Sequence, residues 1–103
     1  MLRGREEHHV IIVAGKLYVT ADGRDAYLAD CLETIQLARA APGCLDFQLA
    51  ADPLEAGRIN VYEAWESVEA LEAFRGSGPS SAQASQNRSA QVFQYEVASS
   101  TKL

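Results

Sequence analysis

The segment Val10-Ile-Ile-Val-Ala-Gly-Lys-Leu-Tyr-Val19 carries apolar side chains on both faces of one extended stretch. Its β-branched content marks it as a strand. Period-two alternation then sets Ile11, Val13 and Leu17 on one side and Val10, Ile12 and Tyr18 on the other. Such a strand must be covered from above and from below. At 103 residues the chain is one domain's worth of material. It has enough to cover one face with its own helices, and a chain this short often takes further cover from a partner.

After a turn cluster at Thr20–Arg24 the period changes. From about Asp25, the residues Leu28, Cys31, Leu32, Ile35 and Ala38 or Arg39 fall on one helical stripe. Pro42-Gly43 ends that helix. Leu45, Phe47 and Leu49 then alternate with Asp46, Gln48 and Ala50, as in a half-buried strand. The loop Asp52–Gly57 is short, so the next strand, Arg58 to Glu66, is expected to pair antiparallel with it. Ser67 is the expected N-cap of a helix holding Leu71 and Phe74. Arg75-Gly-Ser-Gly-Pro79 breaks that helix and offers Ser77 or Gly78 as the cap of another, with Gly76-Ser-Gly78 as a hinge. The alanine-rich stretch Ser80 to Ala90 is a polar helix or a cover. Val92, Phe93, Tyr95 and Val97 mark a last strand. One domain over residues 1–103 is expected, with a core over about residues 9–98 and tails at 1–8 and 99–103.

Strand, helix, strand, strand, helix, strand is the order of the α+β, ferredoxin-like split βαβ fold. Its helices cover one face of a four-stranded antiparallel sheet and leave the other open. Pairing of two such faces, as a homodimer, covers the second apolar side of the first strand.

Charge and patterning exclude several classes. With 9 Lys and Arg against 14 Asp and Glu, the net charge is −5, which disfavours a nucleic-acid partner. The longest apolar run, Val10–Ala14, is far short of the roughly 20 residues of a membrane span. Acidic residues and histidines stand where the apolar core of a signal peptide would begin, so a cytoplasmic protein is expected. Cys31 and Cys44 lack metal-ligand spacing. A helix running on from Cys31 carries the chain about 15 Å before it turns, which makes a bridge to Cys44 difficult. Both read as reduced apolar packers, and no metal site is expected.

At Pro42-Gly-Cys-Leu45, Tyr62-Glu-Ala-Trp-Glu-Ser67 and Ala70-Leu-Glu-Ala-Phe74 the sequence resembles the antibiotic biosynthesis monooxygenase family, over about Val10 to Val97. The resemblance implies a dimeric α+β barrel with a pocket in each subunit between sheet and helices. It also implies a choice of chemistries. Some relatives oxygenate quinols, anthrones or polyphenols without a cofactor, others degrade haem, and many have no known activity. The haem-degrading branch uses an Asn on the first strand, a Trp ending the third and a His on the next helix. Trp65 matches, Gly15 stands near the Asn position, and Leu71–Arg88 holds no histidine. Haem chemistry therefore loses its axial ligand, and no cofactor is expected.

Cofactor-free oxygenation needs an apolar slot, a base and a donor for an oxyanion. Alternation along the third strand puts Ile59, Val61, Glu63 and Trp65 on one face, and Asn60, Tyr62 and Ala64 on the other. The resemblance implies that the Trp65 side is the pocket side. Glu63 is the first candidate base, its alternative role being a pair with an arginine such as Arg88 or a place at a subunit edge. Trp65 either stacks on an aromatic substrate or is core. Arg88 either faces an anionic substrate or is solvated. His9 either reaches the pocket mouth on the face of Ile11 and Val13 or frays. Val61, Phe47 and Phe93 line core or pocket. Asn60 and Tyr62 offer hydrogen bonds to a substrate or to a second subunit. Glu63 and Trp65 are expected to border a common cavity. The leading expectation is a cofactor-independent monooxygenase using O₂ on a small aromatic quinol, phenol or polyketide-like substrate. The alternative is a non-catalytic dimeric module, stress-associated or otherwise, that binds a small aromatic ligand.

Overall fold

The computed structural model describes residues 9–76 and 89–103. Among the described residues four strands and two α-helices follow the expected order: β1 (Ile11–Tyr18), α1 (Arg24–Ala40), β2 (Cys44–Ala51), β3 (Arg58–Trp65), α2 (Val68–Gly76) and β4 (Ser89–Glu96). The strand order is β2-β3-β1-β4 and every neighbouring pair is antiparallel, which is the ferredoxin-like topology. The expected helix start at Ser77–Pro79, the Gly76–Gly78 hinge beyond Gly76, and the stretch from Ser80 as far as Arg88 lie outside the described residues. Ser89 and Ala90, expected to close that stretch, belong to β4.

Register sorts the side chains into rows across the sheet. On the helix side the rows are Cys44–Trp65–Ile11–Glu96, Phe47–Glu63–Val13–Gln94 and Leu49–Val61–Gly15–Val92. Ile11, Val13, Ala38, Phe47, Trp65 and Leu71 form one buried cluster. Leu17, Val19, Tyr27, Cys31, Ile59 and Val61 form a second, towards the start of α1. On the open side Gln48–Tyr62–Ala14–Phe93 and Asp46–Ala64–Ile12–Tyr95 lie in line.

Two expectations about apolar positions are corrected. Leu32 is 59% exposed, whereas Tyr27 is buried, because the inward stripe of α1 runs through Tyr27, Cys31 and Ala38 and Leu32 stands about 100° beyond Cys31. Leu45 is 57% exposed. A bulge between Cys44 and Asp46 makes Leu45 the extra residue, so Cys44 takes the inward place opposite Trp65 and the alternation resumes at Phe47.

Local chemistry fixes the ends of the helices. Gly43, at φ 83°, turns the chain out of α1 in a conformation that favours glycine. Its carbonyl accepts the Glu66 N–H at 2.8 Å, tying the start of β2 to the end of β3. Ser67 caps α2, its Oγ accepting the Ala70 N–H at 3.1 Å. Arg24 Nη1 lies within 3.2 Å of the carbonyl oxygens of Asp52, Glu55 and Arg58, which binds the start of α1 to the β2–β3 hairpin. Neither cysteine forms a disulfide. Among the described residues no helix is long and apolar enough to cross a membrane.

Candidate functional site

The helix-side face of β3 brings Glu63 and Trp65 together. Trp65 is fully buried. Its ring stacks on Phe74 of α2 with centroids 5.4 Å apart, and Phe74 meets Phe47 edge-on at 6.0 Å. Glu63 is half-buried between Phe47 and Val13 in its row, and its Oε1 accepts the indole N–H of Trp65 at 2.9 Å. Burial pushes the Glu63 carboxyl above its ordinary pKa; the indole hydrogen bond and the positive charge of Arg75, on the last turn of α2, pull the other way. Cys44 lies across from Trp65, and burial pushes its thiol up.

The other candidates are dispersed. Phe93, expected along core or pocket, is 60% exposed on the open face, because the β1–β4 register sets it beside Ala14 rather than Val13. Asn60 also faces the open side. Its Nδ2 donates to Asp52 Oδ1 at 2.9 Å and its Oδ1 accepts from Arg58 Nε at 2.6 Å. Val61 is buried in the second cluster. His9 Nδ1 pairs with Glu96 Oε2 at 2.8 Å at the end of the sheet. It stands four residues before Val13, the row-mate of Glu63, and two before β1 begins, so about 13 Å of extended chain separates them. Arg88 lies outside the described residues.

Phe74 and Arg75 are the neighbours of this pair that sequence reasoning missed. Their signal was positional: they follow Leu71 by three and four residues on a helix, which returns Phe74 to the face that meets the sheet and leaves Arg75 exposed at its margin. A groove of about 480 Å³ lies between the end of α1 and α2, lined by Leu37, Ala41, Pro42, Glu66, Glu69, Ala70, Ala73 and Phe74. Glu63 and Trp65 do not line it. Phe74 joins the two regions, its ring stacked on Trp65 on one side and lining the groove on the other. Ala41 and Ala70 likewise line the groove and pack against the cluster that holds Trp65. Among the described residues no three His, Cys, Asp or Glu side chains converge as a metal-binding set.

The sequence matches the family model described as antibiotic biosynthesis monooxygenase over residues 10–86, most of the chain. The chain belongs to this family. Solved structures carrying the same family name share its fold. One from Deinococcus radiodurans superposes with a TM-score of 0.76 at 19% identity, covering 90% of this chain and 97% of that one. One from Chloroflexus aurantiacus J-10-fl gives 0.71 at 24% identity, covering 90% and 97%. One from Caulobacter crescentus CB15 gives 0.73 at 21% identity, covering 88% and 92%. At these identities the likeness is one of fold. No curated protein matches the sequence. Within the antibiotic biosynthesis monooxygenase fold, then, this chain sets a half-buried carboxylate and an internal tryptophan on the helix side of β3.

Proposed function

We propose that the protein is a cofactor-independent monooxygenase acting on a small phenol or quinol, with Glu63 as the base. Family membership supports an oxidoreductase reading. The observation that carries the finer one is the half-buried Glu63 carboxylate, held in place by an indole N–H between Phe47 and Val13. A carboxylate raised by burial is a stronger base than one in water. Glu63 takes the hydroxyl proton of the substrate. The phenolate gives one electron to O₂, and the two radicals combine at a ring carbon ortho or para to the oxygen that carries a hydrogen. Loss of that carbon's hydrogen with cleavage of the O–O bond leaves a second carbonyl, and one water departs: phenol plus O₂ gives quinone plus H₂O. The exposed Val92 and Gln94 continue the helix-side rows beside Glu63 and supply a surface for the ring. Trp65 acts in this reading by orienting Glu63 rather than by touching substrate, since its ring is fully covered. Two copies pair through their open faces, where Tyr62, Phe93 and Tyr95 stand exposed.

The test is oxygen consumption across a panel of phenols and quinols, with the native protein and with Glu63→Gln. Uptake by the native protein that falls at least about 100-fold in the variant supports the assignment. Saturable binding of the panel without oxygen uptake would instead support a ligand-binding module.

A further inference from the structure

The groove between α1 and α2 is separate from the Glu63 surface and has its own chemistry. Its size, about 480 Å³, is in the range of small-ligand sites. Leu37, Ala41, Ala70, Ala73 and Phe74 make its walls apolar, and Leu37 is 59% exposed there. Among the described residues the charged ones in its lining are Glu66 and Glu69, both exposed, with no cation beside them. Their position at the start of α2 suits the helix dipole, yet both side chains also face this apolar cleft. An anion would be repelled there, and a neutral apolar molecule would desolvate two carboxylates without pairing them. An organic cation with an apolar body satisfies both parts of the lining, and the ring of Phe74 can add a cation–π or stacking contact.

We propose that this groove binds an organic ammonium ion, its charge held by Glu66 and Glu69 and its apolar body laid on Leu37, Ala70 and Phe74. The assignment does not depend on the monooxygenase reading. It also comes with a reporter: Phe74 stacks on the only tryptophan in the chain, so occupancy alters Trp65 emission.

The experiment titrates the native protein with 4-phenylbutylamine, 4-phenylbutanol and 4-phenylbutyrate, three probes that share a body and differ in charge. Saturable change in Trp65 fluorescence is expected for the amine, at least tenfold weaker binding for the alcohol, and none for the carboxylate. Glu66→Gln with Glu69→Gln should weaken the amine at least tenfold and leave the alcohol unchanged. Raising salt from 20 to 500 mM on the native protein should also weaken the amine. Ala73→Lys, at an exposed helix position, supplies an internal cation and should abolish amine binding while the protein stays folded. Equal affinity for amine and alcohol, no saturable response to the amine, or an unchanged amine affinity in the folded variants overturns the proposal.

Discussion

The indole N–H of Trp65 donates to the carboxylate of Glu63, 2.9 Å away and two residues earlier on the same strand. A fully buried donor and a half-buried acceptor thus satisfy one another on the apolar side of the sheet. Trp65→Ala removes the ring from between Phe74 and the sheet and should cost about 3–5 kcal/mol. Trp65→Phe retains an aromatic ring but deletes the donor, with an expected cost of about 1–2 kcal/mol. Chemical denaturation of the three proteins measures both. The Phe variant should also raise the pKa of Glu63 further, because the carboxylate form loses its hydrogen bond.

Glu63 makes the native state sensitive to pH in a defined direction. A carboxyl whose pKa is raised by folding stabilises the native state when protonated. That contribution is complete below its ordinary value near 4.5 and is lost as pH rises through the folded value. Glutamine stays neutral and still offers an oxygen to the indole. Glu63→Gln should therefore melt above the native protein at pH 7, with the two melting temperatures converging towards pH 4. A lower melting temperature for the variant at pH 7 would show that the carboxylate is stabilised by a cation, Arg75 being the nearest candidate on α2.

Asp52 behaves in the opposite sense. Its oxygens accept N–H bonds from Leu54, Glu55 and Asn60, which hold its carboxyl down to about 2. The contribution is present above the ordinary value of 3.8 and is lost as pH falls through about 2. Asp52→Asn should lower stability at pH 7 and narrow the gap to the native protein near pH 2. Faster amide exchange at Leu54 and Glu55 in the variant would locate the effect in the β2–β3 hairpin.

The sheet and both described helices were legible because each rests on a period of apolar residues or a specific breaker: the β-branched run of β1, Pro42-Gly43 after α1, Ser67 before α2. The pairing of Glu63 with Trp65 on one face also follows from period two. What escaped were features set by partners far away in the chain. The bulge that turns Leu45 outward depends on how β2 pairs with β3. The face of Phe93 depends on β4 taking its register from β1, some 80 residues earlier, since Ala14 and Phe93 stand opposite one another. Phe74 becomes the lid of Trp65 only when α2 has folded back onto the sheet. The local window gives Phe74 its place on the apolar face of α2, but none of these pairings.

Gly15 illustrates a tertiary demand on one position. A Cβ built there would stand 2.0 Å from the backbone oxygen of Gln91 and 2.8 Å from the Cα of Val92, on a residue with φ at 155°. Neither neighbour is the end of a flexible side chain. Gly15→Ala should push β4 away from β1 and destabilise by about 2 kcal/mol or more. Exchange protection lost along Gln91–Gln94, with the β2–β3 ladder unchanged, is the expected signature.

The open face makes the last prediction. Tyr62, Ala14 and Phe93 form one row and Ala64, Ile12 and Tyr95 the next, with Phe93 and Tyr95 rings 6.5 Å apart. Phe93 is 60% and Tyr95 51% exposed, a large aromatic surface to leave in water. Sedimentation at micromolar concentration should give a dimer for the native chain. Phe93→Asp brings an unpaired charge into that contact from each copy. Because the side chain is mostly exposed within one copy, the change should leave the monomer folded while dissociating the dimer at least 100-fold more readily. A native protein that sediments as a monomer would overturn the pairing, and a Phe93→Asp variant that remains dimeric would place the contact on another face of the molecule.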